Sequence, residues 1–350
     1  MATQATSGPL ITVLVTTYKR SNILRRTLDC LSKQDLSPQD FEVVVSDDGS
    51  PDDTSAVVAE FAARVAFPVR YLRHENRGPG HAENRGLESA AAPLVLLLAD
   101  DIFLASDCVR RHLEFHRARP EPTAAALGKT VQSPDLNQSA FLRKWNPFRF
   151  DELEEREVLP PYRFGAMHLS LKRHFLLQHG MFREERGRAG AACMEDLELG
   201  YRLEPHGLRL YYAKDALAYH YHLTTLDNAM ARWYERGLNY GEFRRFARNP
   251  ELTVYFHVLN SRTLREYVQV LRGPNSFRGA ERYFTWHVVR HFVRMVSLNR
   301  FTARWFWRPT FDLAERHAWL ESLLTAKSYR AFLYYQFLCG VRDGRRIYGD

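Results

Sequence analysis

Residues 94–103 read LVLLLADDIF, and this stretch decides how the rest of the chain is interpreted. The aliphatic run at 94–98 has the length and composition of a strand that is buried on both faces of a sheet. Two adjacent carboxylates, Asp100 and Asp101, follow the run almost at once. Neighbouring negative charges repel each other, so a divalent metal ion, a basic side chain or open solvent must compensate them. The residues alone leave these three alternatives open.

Strands and helices alternate four times around this stretch. Apolar segments typical of strands lie at 10–16, 41–46, 68–73 and 93–98. The segments between them have the apolar spacing or the turn residues of helices with short links. This alternation predicts a parallel, doubly wound sheet, in which ligands bind beyond the carboxyl ends of the strands. Polar clusters stand at all four of these ends: Thr17 and Tyr18, Asp47 and Asp48, the turn near Arg77, and Asp100 and Asp101.

The composition is that of a globular protein with no recognisable export signal. The chain has 350 residues, of which 45% are hydrophobic and 26% charged, values common in globular proteins. The first nine residues lack a basic and an apolar region, and no apolar run approaches the roughly 20 residues of a membrane span. Its four cysteines are widely spaced, with no metal-type pairing. These features predict a cytoplasmic location, with the inner face of the membrane as a second expectation.

The positive charge is concentrated in the last third of the chain. From Asp227 to the end there are 21 Lys and Arg against 11 Asp and Glu, a net charge of +10, so residues 1–226 carry −2 of the total +8. Residues 227–350 are therefore predicted to form a basic, aromatic-rich helical domain that contacts the acceptor, a membrane surface or another subunit. The alternative is a helical domain whose arginines merely cover aromatic packing. No nucleic-acid reader motif is present, so nucleic acid is not an expected partner.

Six segments, in order over about residues 10–225, resemble the motifs of family 2 glycosyltransferases. They are VTTYKR (15–20), VVVSDDGSPDDT (43–54), NRGPGHAENRGL (76–87), LLLADDIF (96–103), GMFREE (180–185) and MEDLELGYRL (194–203). The resemblance implies an α/β catalytic domain over 1–226 with the GT-A fold, a mixed sheet flanked by helices, followed by a helical C-terminal region. It also implies inverting transfer of a sugar from a nucleoside-diphosphate sugar to an acceptor hydroxyl, in glycan or polysaccharide biosynthesis.

The resemblance places a divalent metal, Mn²⁺ or Mg²⁺, at Asp101 and His220. Asp101 matches the last Asp of the family's D-x-D motif when Ala99 takes the first position, which is the favoured register. In a register shifted by one residue, Leu98 takes the first position and Asp100 becomes the ligand. Both registers lack the first carboxylate, which leaves metal independence open. His220 falls where the family has its single metal-binding His. Only one of His220 and His222 is expected to point toward the metal.

The resemblance also assigns the nucleotide contacts. Thr17, Tyr18 and Arg20 match the family's strand-end residues, Asp47 matches the residue at the base, and Asp48 and Asp100 match those near the ribose. Two positions depart from the family. Glu83 replaces the Arg that faces the diphosphate, and its charge could come from Arg77, His81 or Arg85. His168 replaces an Asn of the sugar pocket, which predicts an unusual donor or acceptor preference.

For catalysis the resemblance points to Asp196 as the general base, with Glu195 orienting the base or the acceptor. An inverting transfer needs one such base to deprotonate the acceptor hydroxyl. The expected donor is a UDP-sugar, and the acceptor is a glycan, a lipid-linked molecule or a small molecule. Two alternatives remain: a retaining transferase that acts on a small phosphorylated acceptor, and a nucleotide-sugar-binding scaffold without activity.

Overall fold

A computed structural model describes residues 8–136, 138–145, 153, 158–184, 194–240 and 298–348. These residues fall into two units. The first contains 8–136, 153, 158–184 and 194–222, and the second contains 138–145, 223–240 and 298–348. The predicted domain boundary at 226/227 stays a prediction, and the membership of 138–145 in the second unit was not expected.

The first unit is built on one sheet of eight strands: β1 (Ile11–Thr17), β2 (Phe41–Asp47), β3 (Val69–Arg73), β4 (Leu94–Ala99), β5 (Ile102–Leu104), β6 (Ala124–Gln132), β7 (His168–Lys172) and β8 (Arg209–His220). Their order is β3-β2-β1-β4-β7-β6-β8-β5. The pairs among β3, β2, β1 and β4 are parallel, whereas β7 runs antiparallel to both β4 and β6. The prediction of a mixed α/β sheet is confirmed, and the parallel half is the one that the alternating pattern indicated.

Helices cover this sheet, and their buried faces follow the apolar spacing of the sequence. They are α1 (Ser21–Leu31), α2 (Thr54–Arg64), α3 (Pro79–Ser89), α4 (Cys108–Ala118), α6 (Arg173–His179) and α7 (Glu195–Leu203). In α1, Leu24, Leu28 and Leu31 are fully buried in the core that includes the side chains of β1 and β2. A second core of the same unit contains Leu14, Leu97 and Leu169. Both faces of the central strands are therefore buried, as the aliphatic run at 94–98 predicted.

The turn between β4 and β5 explains how distant residues come together. Only Asp100 and Asp101 separate these strands, although three other strands lie between them in the sheet order. The sheet must therefore curl so that its β5 edge returns to the end of β4. β5 pairs with β8 in a register that places Ile102 opposite His220. As a result Asp101 lies beside the residues that follow β8.

The second unit is helical in the part that the structure describes. Its helices are α5 (Ala140–Lys144), α8 (Leu226–Leu238), α9 (Arg300–Thr302), α10 (Arg308–Ala314), α11 (Ala318–Leu323) and α12 (Ala326–Tyr348), with a π-helical turn at Ala303–Trp307. Phe311, Tyr329 and Phe332 are almost fully buried in its aromatic core. α8 and α12 pack closely against each other at Gly340 of α12. A Cβ atom at this position would lie 2.0 Å from the carbonyl oxygen of Tyr234 on α8. Among the described helices, none is both long and apolar enough to cross a membrane.

Candidate active site

The two carboxylates after β4 are compensated by a basic side chain. Arg20 donates from Nη1 to Asp100 Oδ1 at 2.8 Å and from Nη2 to Asp101 Oδ2 at 2.7 Å. Thr17 at the end of β1 donates its hydroxyl to Asp100 Oδ2 at 2.7 Å. Because β1 and β4 are parallel neighbours, Thr17 and Asp100 end at the same edge of the sheet. Of the three alternatives for these charges, the structure shows the basic partner.

The two neighbouring carboxyls differ in how readily they ionise. Burial raises the pKa of Asp100 to about 6, with Arg20 lowering it and the negative charge of Asp101 raising it further. Burial would also raise the pKa of Asp101, but hydrogen bonds from His220 and His222 and the charge of Arg20 hold it well below its usual range. Asp101 is therefore the firmly ionised member of the pair.

Asp101 and two histidines form a compact group of ligand atoms. Oδ2 of Asp101 lies 3.2 Å from His222 Nδ1 and 3.6 Å from His220 Nε2. The two imidazole rings are stacked, with centroids 5.5 Å apart and planes inclined by 13°. The ligand atoms of the three residues all lie within 4.8 Å of one another.

The expectation that His222 points away from His220 was wrong. Neighbouring residues of an extended strand point to opposite faces, but residues two apart, such as His220 and His222, point to the same face. The chain stays paired just beyond the end of β8, because Tyr221 donates its backbone N–H to the Asp101 carbonyl at 2.8 Å. The signal was present in the sequence as HYH at 220–222, a spacing that places both imidazoles on one face.

The donor set of this group fits a divalent cation. It offers one ionised carboxylate oxygen and two imidazole nitrogens from buried or half-buried residues. Mg²⁺ prefers oxygen ligands, whereas softer first-row ions accept imidazole, so two histidines favour Mn²⁺ over Mg²⁺. Arg20 pairs with the same Asp101 oxygen as His222. A cation at this group would therefore share Asp101 with Arg20 or displace it.

Asp47 and Asp48 hold the loops at the neighbouring strand end. Asp47 is fully buried and accepts hydrogen bonds from the Ser50 N–H at 2.9 Å and the Tyr71 hydroxyl at 2.5 Å. Asp48 accepts the N–H groups of Arg77 at 2.8 Å and Gly78 at 2.9 Å. Both carboxylates therefore shape the edge of the sheet, and their contacts with a nucleotide stay predictions.

The basic residues considered as substitutes for the missing Arg are engaged elsewhere. His81 Nδ1 lies 2.8 Å from a Glu184 oxygen, and the Arg77 guanidinium lies 3.4 Å from the same carboxylate. Arg85 pairs with Glu88 on the exposed side of α3. All three candidates have carboxylate partners within the protein.

Glu83, which replaces the family's Arg, is buried. Thr16 donates its hydroxyl to Oε1 at 3.0 Å, and Oε2 has no hydrogen-bond partner among the residues that the structure describes. Burial raises the pKa of Glu83 to about 8, and the negative charges of Glu195 and Asp196 raise it further, against the lowering effect of Thr16. Glu83 therefore carries a proton at neutral pH and brings no charge to the site.

Replacing Glu83 with glutamine is expected to change how stability depends on pH. The pKa of Glu83 is about 8 in the folded chain against an ordinary value of 4.5. The folded state thus binds the proton more tightly, and the wild-type free energy of unfolding falls as pH rises between these values. Glutamine keeps the neutral shape and avoids this loss. The variant should exceed the wild type by on the order of 3 kcal/mol above pH 8 and match it near pH 5.

Denaturant unfolding at both pH values measures this difference. The matched control is Glu88→Gln, because Glu88 lies on the same helix with an exposed side chain. The control should follow the wild-type pH dependence. Parallel pH profiles for Glu83→Gln and the wild type would show that Glu83 ionises normally.

The predicted catalytic acids open helix α7. Met194, just before the helix, has a left-handed backbone with φ of 71°, a rare conformation for a side chain of this size. Asp196 accepts the Leu197 N–H at 2.8 Å. Within the same helix, Arg202 pairs with Glu198, four residues before it, at 2.9 Å. The electrostatic effect of Glu195 and Asp196 on Glu83 places all three carboxyls in one region.

His168 lies in the core and not in an open sugar pocket. It is fully buried on β7, with Nε2 3.3 Å from Cys108 Sγ and Nδ1 3.1 Å from Thr130 Oγ1. The resemblance placed this residue in the sugar pocket. Its inward direction overturns the suggestion that His168 selects the sugar.

The sequence matches a known family. The model for glycosyl transferase family 2 matches residues 12–180. Over 235 residues the chain is 31% identical to validoxylamine A glucosyltransferase of Streptomyces hygroscopicus subsp. limoneus, a match that covers 59% of this chain and 51% of that protein. Hyaluronan synthase of Pasteurella multocida is 27% identical over 241 residues, covering 60% of this chain and 24% of that protein. The chain spans about half the length, 51%, of the first relative.

A solved structure shares the fold. It is mannosyltransferase PcManGT from Pyrobaculum calidifontis, described in complex with GDP-Man and Mn²⁺. The match covers 98% of this chain and 88% of that one, with a TM-score of 0.58 and 19% sequence identity. The motifs at 15–103, the mixed curled sheet and the family match agree. Residues 12–180 therefore belong to glycosyl transferase family 2, and the first unit has the GT-A fold that the motifs predicted.

Proposed function

We propose that this chain transfers a sugar from a nucleoside-diphosphate sugar to an acceptor hydroxyl, with inversion and with the help of a divalent metal. The observation that carries the proposal is the group of Asp101, His220 and His222 at the carboxyl edge of the sheet. The family match supports it, as do relatives named as glycosyltransferases and a neighbour whose structure holds GDP-Man and Mn²⁺.

The nucleotide of the donor would lie along the ends of β1, β2 and β4. Tyr18 offers a partly exposed ring, 37% accessible, at this edge. Thr17, Arg20 and Asp100 form one connected set of hydrogen bonds beside it. Asp47 and Asp48 complete the proposed nucleotide contacts. Arg20 is suited to the diphosphate, since a guanidinium binds phosphate oxygens with two parallel hydrogen bonds.

Asp101, His220 and His222 would hold the cation, with Mn²⁺ preferred over Mg²⁺. A bound divalent ion supplies positive charge that stabilises the departing diphosphate. The neutral state of Glu83 agrees with this assignment, because an ionised carboxylate near the diphosphate would oppose its binding.

Asp196 would act as the general base, and Glu195 would orient the acceptor. Asp196 accepts the proton of the acceptor hydroxyl as that oxygen forms a bond to the anomeric carbon. The bond between this carbon and the donor phosphate oxygen breaks, and its electron pair leaves with the nucleoside diphosphate. Attack from the side opposite the leaving group inverts the anomeric configuration.

The relatives bear on donor and acceptor only by class. We propose a UDP-sugar as the first donor to test, with a GDP-sugar as the comparison that the mannosyltransferase neighbour suggests. One relative is named validoxylamine A glucosyltransferase and another is named hyaluronan synthase, so their names point to different acceptors. Small-molecule, glycan and lipid-linked acceptors are therefore the classes to compare.

The second unit is proposed to contact an anionic membrane surface. Phe301, Trp305 and Phe306 are more than half exposed on one short stretch. A nearby cavity of about 480 Å³ is lined by Arg300, Arg304, Arg308 and Arg342, among others. Exposed aromatic rings beside arginines suit the interface of an anionic bilayer.

Sedimentation with phosphatidylglycerol vesicles tests this membrane contact. The vesicles should capture more of the wild-type protein than of Trp305→Ser. Equal capture of the two proteins would contradict the proposed contact.

The transfer itself is tested by product analysis. The protein is incubated with Mn²⁺ and UDP-, GDP- or dTDP-sugars and with acceptors of the three classes, and released nucleoside diphosphate is measured. Acceptor-dependent release from one donor class supports the proposal. Proton NMR of the product then gives the anomeric configuration, and retention would replace the inverting mechanism with the retaining alternative.

A further inference from the structure

A second cluster of metal-type side chains lies in the core of the first unit, apart from the residues assigned to the donor. It consists of Cys108 and His112 on α4 and His168 on β7, and each is 0% exposed. Cys108 and His112 are four residues apart on one helix, so they project from the same face. α4 covers the sheet at this point, and the His168 side chain extends from β7 toward α4.

The three potential ligand atoms converge. Nε2 of His112 and Nε2 of His168 are 3.1 Å apart, and Cys108 Sγ lies 3.3 Å from His168 Nε2. The third separation is within 4.8 Å. These separations leave a point about 2 to 2.4 Å from all three atoms, close to the length of Zn–N and Zn–S bonds, about 2.0 to 2.3 Å.

Hydroxyl groups orient both imidazoles toward this point. Ser170 Oγ lies 2.7 Å from His112 Nδ1, and Thr130 Oγ1 lies 3.1 Å from His168 Nδ1. With the Nδ1 atoms fixed in this way, both Nε2 atoms face the sulfur. Histidines that bind a metal are usually held by a hydrogen bond at the other ring nitrogen, which sets the ring orientation.

Burial leaves the histidines able to bind a cation. It lowers the pKa of His112 to about 3 and that of His168 far below its usual range. Both rings are therefore neutral at physiological pH and have one lone pair available. Burial raises the pKa of the Cys108 thiol, so the thiol keeps its proton unless a cation replaces it.

A hydrogen-bond network without metal is the competing explanation. The thiol, the two rings and the two hydroxyls can satisfy one another as donors and acceptors. Such a network accounts for each contact singly. It does not require the sulfur and both Nε2 atoms to surround one point while hydroxyls hold both Nδ1 atoms.

We propose that Cys108, His112 and His168 form a structural site for a thiophilic metal ion, Zn²⁺ or Cu⁺, distinct from the group around Asp101. A thiolate and two imidazoles are soft or intermediate ligands that suit these ions, and no carboxylate is among them. On binding, Cys108 releases its thiol proton to solvent and a metal–sulfur bond forms. The ion would join α4 to β7.

The charge of the buried complex separates the two ions. A thiolate with Cu⁺ has no net charge, whereas a thiolate with Zn²⁺ keeps one positive charge. An unpaired charge in a buried site is costly. The low coordination number and the neutral complex favour Cu⁺, whereas Zn²⁺ usually takes four ligands.

Metal content tests the proposal without reference to enzyme activity. The full chain is purified under reducing conditions without a metal-affinity column, incubated with Zn²⁺ or Cu⁺, desalted, and analysed by inductively coupled plasma mass spectrometry. Asp101→Asn is expected to retain about one ion per chain, since this variant removes only the other site, and the wild type is expected to retain at least as many. Cys108→Ala is expected to lose that ion. His116→Gln is the matched control, because His116 is buried on the same helix and contacts Ser170 but lies outside the cluster.

Two readouts keep the test decisive if Cys108→Ala does not fold. Wild-type protein incubated with Co²⁺ should show a sulfur-to-cobalt charge-transfer band, and bound metal should raise the melting temperature reversibly against a chelator. A folded wild type that retains neither ion and shows no such band would overturn the proposal. Retention by Cys108→Ala together with loss in Asp101→Asn would also overturn it, because the ion would then belong to the Asp101 group.

Discussion

Replacing Asp196 with asparagine is expected to slow sugar transfer by about 10²–10⁴-fold, the usual contribution of a general base. Asparagine has nearly the same shape but cannot accept the proton of the acceptor hydroxyl at neutral pH. Asp196 opens α7 and is not among the residues proposed to bind the nucleotide. The affinity for the nucleoside diphosphate should therefore stay within about twofold of the wild-type affinity. A tenfold loss would require a change of about 1.4 kcal/mol in binding free energy.

Initial rates at saturating donor, together with calorimetric titration of the nucleotide, separate these effects. Glu204→Gln is the matched control, because Glu204 is an exposed acid just beyond the end of the same helix. The control should keep the wild-type rate. A decrease in the transfer rate of less than tenfold for Asp196→Asn would show that Asp196 is not the general base. It would favour a retaining mechanism, which needs no base.

Replacing Asp101 with asparagine is expected to lower metal-dependent affinity for the nucleoside diphosphate by at least about 10²-fold, because a cation contributes several kcal/mol of charge stabilisation. Asp101 is the ionised oxygen ligand of the group and also a partner of Arg20. The effect should disappear in chelator, where no ion is bound in either protein. Asp135→Asn is the control, since Asp135 has a mostly exposed side chain paired with Arg26.

The two histidines of this group make a sharper comparison. His222→Gln and His220→Gln should each weaken Mn²⁺ binding, because both ring nitrogens lie within 3.6 Å of the Asp101 carboxylate. Isothermal titration of Mn²⁺ into the nucleotide complex measures the change. Unchanged affinity in His222→Gln with a loss in His220→Gln would restore the single-histidine site that the motif implied.

Local patterns in the sequence predicted most of the first unit's fold. The buried run at 94–98 and the alternating elements upstream gave the parallel half of the sheet, since apolar periodicity reports burial directly. β5 was not predicted, because three residues are too few to show a period. The curl that returns β5 to the end of β4 follows from strand order, which local sequence does not encode.

Part of the geometry of the candidate site could be predicted from local sequence, and part depends on contacts between residues distant in the chain. The proximity of Asp101 and His220 agrees with the motif order. His222 was missed although the two-residue spacing in HYH places both imidazoles on one face of an extended chain. Arg20 was assigned to the nucleotide, and its contact with both carboxylates needed the parallel pairing of β1 and β4. The protonated state of Glu83 depends on burial and on α7, more than one hundred residues away in sequence.

Calorimetric titration of UDP and GDP into the wild-type protein, with Mn²⁺ or with EDTA, tests the central claim most directly. The account predicts that one nucleotide binds with Mn²⁺ and that chelation weakens this binding by at least about 10²-fold, as expected when a cation bridges protein and diphosphate. Equal binding in EDTA would contradict the metal role of Asp101, His220 and His222. Absence of binding to either nucleotide, in a folded protein, would contradict the transferase proposal and favour a scaffold.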